Sequence, residues 1–261
     1  MNRDRQRREF LKGLGTLSAA AALPAAAAHT GERASHSHDT SAQVSVASIE
    51  STTLLFLTRA EADFIDAASS CFIPSDDLGP GATEAGVTFF IDRQLHGAWG
   101  AMARGYRLGP WPEGTPQQGY QSPLTPREVY RTAIREIDAW CETQYRKRFA
   151  DLPKSQQDAL LKLLDAGELT LESVSGTLFM NLLWTNTQEG FFADPVYGGN
   201  RNKVGWRLVG FPGVAAAYTE HVERHGQPYS VEPVGIDDML GRAVELDEHG
   251  HPIHRKLARS R

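Results

Sequence analysis

Thr125-Pro126-Arg127-Glu128-Val129-Tyr130-Arg131-Thr132-Ala133-Ile134-Arg135-Glu136-Ile137-Asp138-Ala139-Trp140-Cys141 is the stretch that decides the fold class. Thr125 is placed to cap a helix, Pro126 fills its first turn, and Glu128 completes a capping box. Val129, Ala133, Ile134, Ile137, Trp140, Cys141 and Tyr145 then recur at steps of three and four, the period of one helix face. Arg131, Arg135, Asp138, Glu142 and Arg146 mark the opposite face. A capped, amphipathic helix of this length needs other helices to cover its apolar stripe.

The neighbouring segments supply them. Thr58-Arg59-Ala60-Glu61 is a second capping box, preceded by Leu57 as a staple residue. Phe64, Ile65, Ala68 and Phe72 follow at helical spacing, and Pro74 stops the run. A helix is expected over Thr83–Gln94, with Val87, Phe90 and Ile91 on one face. Another is expected over 154–166, with Leu160, Leu161, Leu163 and Leu164 inside and Gly167 at its end. Residues 172–188 should form a fifth around Leu178, Phe179, Leu182 and Leu183, and 214–225 a sixth closed by Gly226. Strand-like alternation is scarce. The reading is a mainly α fold: a single helical domain of about six helices with long irregular aromatic loops.

Two of those loops carry unusual composition. Residues 104–124 lack periodicity and include Trp111 and Gln118-Gly119-Tyr120-Gln121. Residues 187–213 contain Phe191-Phe192-Ala193-Asp194-Pro195-Val196-Tyr197-Gly198-Gly199-Asn200-Arg201 and Val204-Gly205-Trp206-Arg207-Leu208-Val209-Gly210-Phe211-Pro212-Gly213. Asp194-Pro195 sets a turn, and Gly198-Gly199 permits positive φ. Aromatics and Arg on a stiff loop are the composition of a protein interface. Tyr197, Asn200 and Arg201 are the expected partner contacts, with Trp111 added from the other loop. Phe191 and Trp206 are the expected core members.

The amino-terminal residues point to export. Arg7-Arg8-Glu9-Phe10-Leu11-Lys12 precedes a weakly apolar run to Leu23 and a small-residue close at Ala25–Ala28. This is the pattern of a twin-arginine signal with cleavage near Ala28-His29, carried by Arg7, Arg8, Phe10, Leu11 and Lys12. The apolar run is too short for a spanning helix, which needs roughly 20 residues. Residues 29–53, rich in Ser, Thr, Ala and His, read as a flexible linker, with His36 and His38 in a solvated tail. The helical domain is then 54–235, and 236–261 a C-terminal tail in which Ile236–Leu240 forms a short helix before a mobile end holding His249, His251 and His254.

Charge and motif content exclude several classes. The chain of 261 residues holds 27 basic and 32 acidic side chains; the leader accounts for five and two, leaving 22 against 30, or −8, after cleavage. No basic patch suits nucleic acid. Cys71 and Cys141 are the two cysteines, so C-x-x-C and C-x-x-C-H motifs are absent, and with them cysteine-rich metal and covalent haem sites. The pair can bond to each other, bond to a partner, or remain free thiols. G-x-S-x-G, G-x-G-x-x-G and P-loop patterns are also missing. His221 and His225 stand i, i+4 on the expected sixth helix, a spacing that suits one metal ion, but Val222 stands where a zinc protease has Glu, and no third ligand is evident. No catalytic, cofactor-binding or metal-binding residue is assigned.

The Phe191–Arg201 and Val204–Gly213 runs, with Gln118–Gln121, resemble the gluconate 2-dehydrogenase subunit 3 family, over roughly residues 1–235. The resemblance implies the small subunit of a membrane-bound FAD-dependent sugar or sugar-acid dehydrogenase. In that setting a large flavoprotein oxidises the sugar and a multihaem cytochrome c passes electrons on. The small subunit binds and matures the flavoprotein and lends it a signal for the twin-arginine translocase. FAD and haem c are then expected in the partners, none in this chain, and the location is periplasmic, peripheral to the cytoplasmic membrane through the complex. The competing expectation is a stand-alone periplasmic helical metal-binding protein or enzyme built on His221 and His225.

Overall fold

The computed structural model describes residues 53–112, 114–115, 118–214, 221–240, 244–249 and 251–257. The expected export signal and nearly all of the expected linker lie outside these residues. Among the described residues there are seven α-helices: α1 (Arg59–Phe72), α2 (Val87–His96), α3 (Pro126–Tyr145), α4 (Lys154–Asp165), α5 (Gly176–Phe192), α6 (Val204–Val209) and α7 (Ile236–Leu240). Beside them, among the described residues, stand three one-turn 3₁₀ segments and isolated β-bridges, with no β-strand. The mainly α reading holds, and no described helix is long and apolar enough to cross a membrane.

Helix α5 is the hub: it packs against α1, α2, α3, α4 and α6. Its sequence is apolar around most of its circumference, which suits a helix enclosed by others. Phe179 and Leu183 are fully buried, and Phe179 meets Tyr130 edge-on, 5.5 Å between ring centroids. Phe64 of α1 stacks at 4.4 Å on Phe149 from the one-turn 3₁₀ segment Phe149–Asp151. Each such ring contributes roughly 1.5–3 kcal/mol by leaving water. Tyr130, which the apolar pattern does not mark, is fully buried because its hydroxyl donates to Asn186 Oδ1 at 2.8 Å.

Both capping boxes form. Thr58 N–H donates to Glu61 Oε2 at 2.7 Å, and Glu61 N–H returns to the Thr58 hydroxyl at 3.3 Å. On α3, one Glu128 carboxylate oxygen accepts from both the backbone N–H and the hydroxyl of Thr125. Those bonds hold the Glu128 carboxyl below the ordinary glutamate range. The order begins ahead of α1. Leu55, Phe56 and Leu57 donate their amides to the Asp92 carboxylate at 2.7, 2.9 and 2.8 Å. Arg131 holds the same strap from α3, donating to Phe56 O at 3.0 Å with its guanidinium 4.2 Å above the Phe56 ring.

Several expected boundaries move. Helix α2 begins at Val87 rather than Thr83, because Gly86 adopts φ 73°, which an α-helix does not admit. Helix α5 runs four residues beyond 188 and absorbs Phe191 and Phe192, which the sequence reading placed in an irregular loop. Leu163 faces outward and Tyr145 is exposed, one residue before Arg146 ends α3 in the left-handed region. Asp138 is not on a solvated face: it accepts from Phe149 N–H at 2.9 Å, and burial raises its carboxyl above the usual range. Residues 215–220 of the expected sixth helix lie outside the described residues; His221 is in 3₁₀ conformation and 222–225 hold turns but no α-helix. The short helix at 236–240 forms as expected. The segment after it folds back: Val231 bridges Lys256, Leu246 bridges Pro252, and His254 Nε2 lies 3.1 Å from Val214 O.

Candidate partner-binding surface

The loop between α5 and α6 is built from close backbone approaches. Asp194 caps the one-turn segment Pro195–Tyr197, accepting from Val196 N–H at 3.1 Å, and its other oxygen accepts from Ile236 N–H at 2.8 Å. Gly198 turns the chain at φ 101° beneath Arg93, and Gly199 lies against the Gly190 carbonyl, where a Cβ would collide. Asn200, Asn202 and Lys203 then take φ of 47°, 55° and 57°, a run of left-handed non-glycine residues. Each such residue stores roughly 1 kcal/mol or more of strain that its surroundings must offset.

Buried contacts supply that offset. The Asn200 side chain donates to Ala193 O at 2.8 Å and accepts from Gly205 N–H at 2.8 Å, tying both ends of the loop together. Arg201 N–H donates to Ala85 O at 2.9 Å, and its guanidinium lies 4.3 Å over the Phe89 ring. Lys203 pairs with Asp238, and Trp206 Nε1 donates to Phe192 O at 2.7 Å. The expected partner contact at Asn200 is therefore corrected: its side chain is fully buried and engaged within the chain. Arg201 likewise has its face committed to Phe89. Phe191 and Trp206 are core residues as expected, at 1% and 5% exposure.

Along this loop and the helix α6 that follows it, apolar side chains stand exposed beside the exposed Asn202 and Arg207. Val196, Tyr197, Leu208, Val209 and Phe211 are exposed, with Tyr197 at 51% and Val209 at 60%. Beside α6 runs a groove of about 360 Å³ lined by Phe72, Ile73, Leu78, Phe191, Val204 and Leu208, with Asp76 and Arg207 also in its wall. Phe72 meets exposed Trp184 edge-on at 5.2 Å, which extends the apolar ground onto α5. The sequence reading missed Trp184, Leu78 and Leu208. Spacing could not have marked Trp184 as outward-facing, since it stands four residues after buried Met180 and three before buried Thr187. Trp111 is half-buried, its indole against Gly109 within its own loop.

The other candidates separate from this surface. Cys71 and Cys141 are both free thiols, so the pairing of the two with each other is not realised. Burial pushes the Cys141 thiol up to about 12, and burial also raises Cys71 against the pull of Lys154. His221 meets Tyr229 edge-on at 4.6 Å between centroids, and residues 222–225 form no α-helix that would align it with His225. Among the described residues no group of three or more His, Cys, Asp and Glu is arranged to hold a metal ion.

Fold and loop together define an all-helical protein whose distinguishing feature is a set of exposed apolar side chains beside a loop held by internal hydrogen bonds and close backbone approaches. Residues 59–213 match the family described as Gluconate 2-dehydrogenase subunit 3. The chain belongs to that family, a subunit of a dehydrogenase complex. No curated protein and no solved structure matches it.

Proposed function

We propose that this chain is the non-catalytic small subunit of a periplasmic FAD-dependent dehydrogenase of the gluconate or glucose type. Its role is to dock the flavoprotein, support its maturation and carry it outward. Residues 1–28 act as a twin-arginine signal read by the translocase, 29–53 as the linker and 54–235 as the docking body. FAD belongs to the large subunit and haem c to a multihaem cytochrome c subunit of the same complex.

The observation that carries this reading is the display of Val196, Tyr197, Leu208, Val209 and Phe211 on a loop pinned from beneath. Large apolar side chains left exposed close together in sequence on a folded protein are candidates for a binding surface. A loop already held in shape also loses little entropy on association. Family membership supplies the kind of partner.

The test is co-expression with a candidate FAD-dependent dehydrogenase large subunit from the same host. Tyr197→Ala with Leu208→Ala should leave a folded protein that no longer co-purifies with it. Arg7→Lys with Arg8→Lys should hold both proteins in the cytoplasm. A flavoprotein that still reaches the periplasm in that double variant removes the escort role.

A further inference from the structure

Segment 230–257 meets the docking loop, Asp194 to Gly213, at its start, its middle and its end. Ile236 N–H donates to Asp194 Oδ2 at 2.8 Å. Lys203 pairs with Asp238, and Arg207 of α6 pairs with Glu232 at 3.0 Å. Where the loop ends, Val214 N–H donates to Val234 O at 2.7 Å, while Val234 N–H donates to Pro212 O at 3.0 Å. Gly213 makes that crossing possible: its φ is 79°, and a Cβ there would collide with Val234 O.

The segment is anchored in turn. Val231 bridges Lys256, Glu232 N–H donates to Arg255 O at 2.9 Å, and Leu257 N–H donates to Ser230 O at 3.2 Å. Val231, Pro233 and Val234 are buried. Paired backbone and buried apolar side chains make this a packed part of the fold, not a solvated end. The loop needs such support. Asn200, Asn202 and Lys203 keep left-handed backbone only where surrounding contacts over-determine it. Asn200 supplies a tie from inside the loop, and segment 230–257 supplies others from outside it.

We propose that segment 230–257 is a clamp that sets the docking loop in its binding shape, with Asp194, Gly213 and Val234 as positioning residues. This rests on the accessory-subunit reading above and adds to it the device that controls the surface. An opened clamp frees the loop to take other shapes, and apparent affinity then falls by the fraction of molecules still closed. The coupling is reciprocal, so a bound partner holds the clamp shut.

The experiment uses the full chain and the same candidate large subunit, with binding read by biolayer interferometry and clamp closure by hydrogen exchange. Asp194→Asn keeps an oxygen for Val196 N–H but turns a donor toward Ile236 N–H. Gly213→Ala pushes Val234 away from a position that has no side chain for a partner to lose. Each should speed exchange at Val214, Val234 and Ile236 in the isolated chain while α3 and α5 stay protected. Each should weaken partner binding about tenfold, chiefly through slower association, because the bound complex is closed in both. In the wild-type chain, added large subunit should slow exchange at Glu232 and Leu257. Faster exchange with unchanged affinity overturns the proposal, as does unchanged exchange in both variants. A loss wholly in the dissociation rate overturns it too, since that is the mark of a direct contact. A wild-type chain that captures no large subunit overturns the accessory reading; the exchange arm, which needs no partner, judges the clamp by itself.

Discussion

The helical body around α5 and the loop from Asp194 to Gly213 are stabilised by different means. The body rests on buried rings and aliphatic side chains repeated at helical spacing, so many residues share the load. The loop rests on single contacts that do not repeat, among them one asparagine amide, one guanidinium over one ring, the Asp194 carboxylate, the Lys203–Asp238 pair, the Trp206 indole N–H, and glycines that let backbone touch backbone. Redundant packing tolerates exchange of one apolar side chain for another. Singular contacts do not, and they deliver a surface whose shape is settled before any partner arrives.

Substitutions should break this contrast in graded steps. Phe179→Ala should have the largest effect, about 3–5 kcal/mol by urea denaturation, because it empties a fully buried ring site that Phe64 and Tyr130 both touch. Asn200→Ala should follow at about 1–3 kcal/mol. It leaves the Ala193 carbonyl and Gly205 amide without their partner, and hydrogen exchange should report the loss within 193–210 while α3 stays protected.

Thr125→Ala should cost about 1 kcal/mol, a body contact removed at its edge. It should also flatten the acid limb of stability. In the folded chain Glu128 stays ionised to lower pH than in the unfolded chain. The gain is therefore present at neutral pH and lost as pH falls through the folded value, below the ordinary glutamate range. Denaturation midpoints measured from pH 6 to pH 3 should show a shallower fall in the variant. Tyr197→Ala should be smallest, within about 0.5 kcal/mol in the isolated chain, because its ring is half in water. If it destabilises as much as Asn200→Ala, Tyr197 is a structural residue and the display of apolar side chains has been misassigned.

The body was legible in the sequence because its signals are local and periodic. Thr58 with Glu61 and Thr125 with Glu128 marked helix starts that the structure realises. Phe64, Val129, Ile137 and Phe179 announced their burial by spacing. Tyr130 did not, because its burial depends on Asn186, 56 residues away. The loop was legible only in composition. Its glycines and turn residues announced an unusual backbone, but Asn200 read as an outward recognition residue when its amide is the internal tie. Nothing local says which way an asparagine in the left-handed region turns. The tail failed for the same reason: the contacts that fold 244–257 back are made with residues 214 and 230–232.

Three amides converging on Asp92 have a mechanical consequence. Traction applied to the chain ahead of Leu54 reaches the middle of α2 through charge-assisted bonds before it reaches the first turn of α1. Arg131 adds a second rivet from α3. A tug from the amino end is thus shared across three helices at once, and unravelling from that end must begin by tearing a carboxylate loose rather than by peeling a helix.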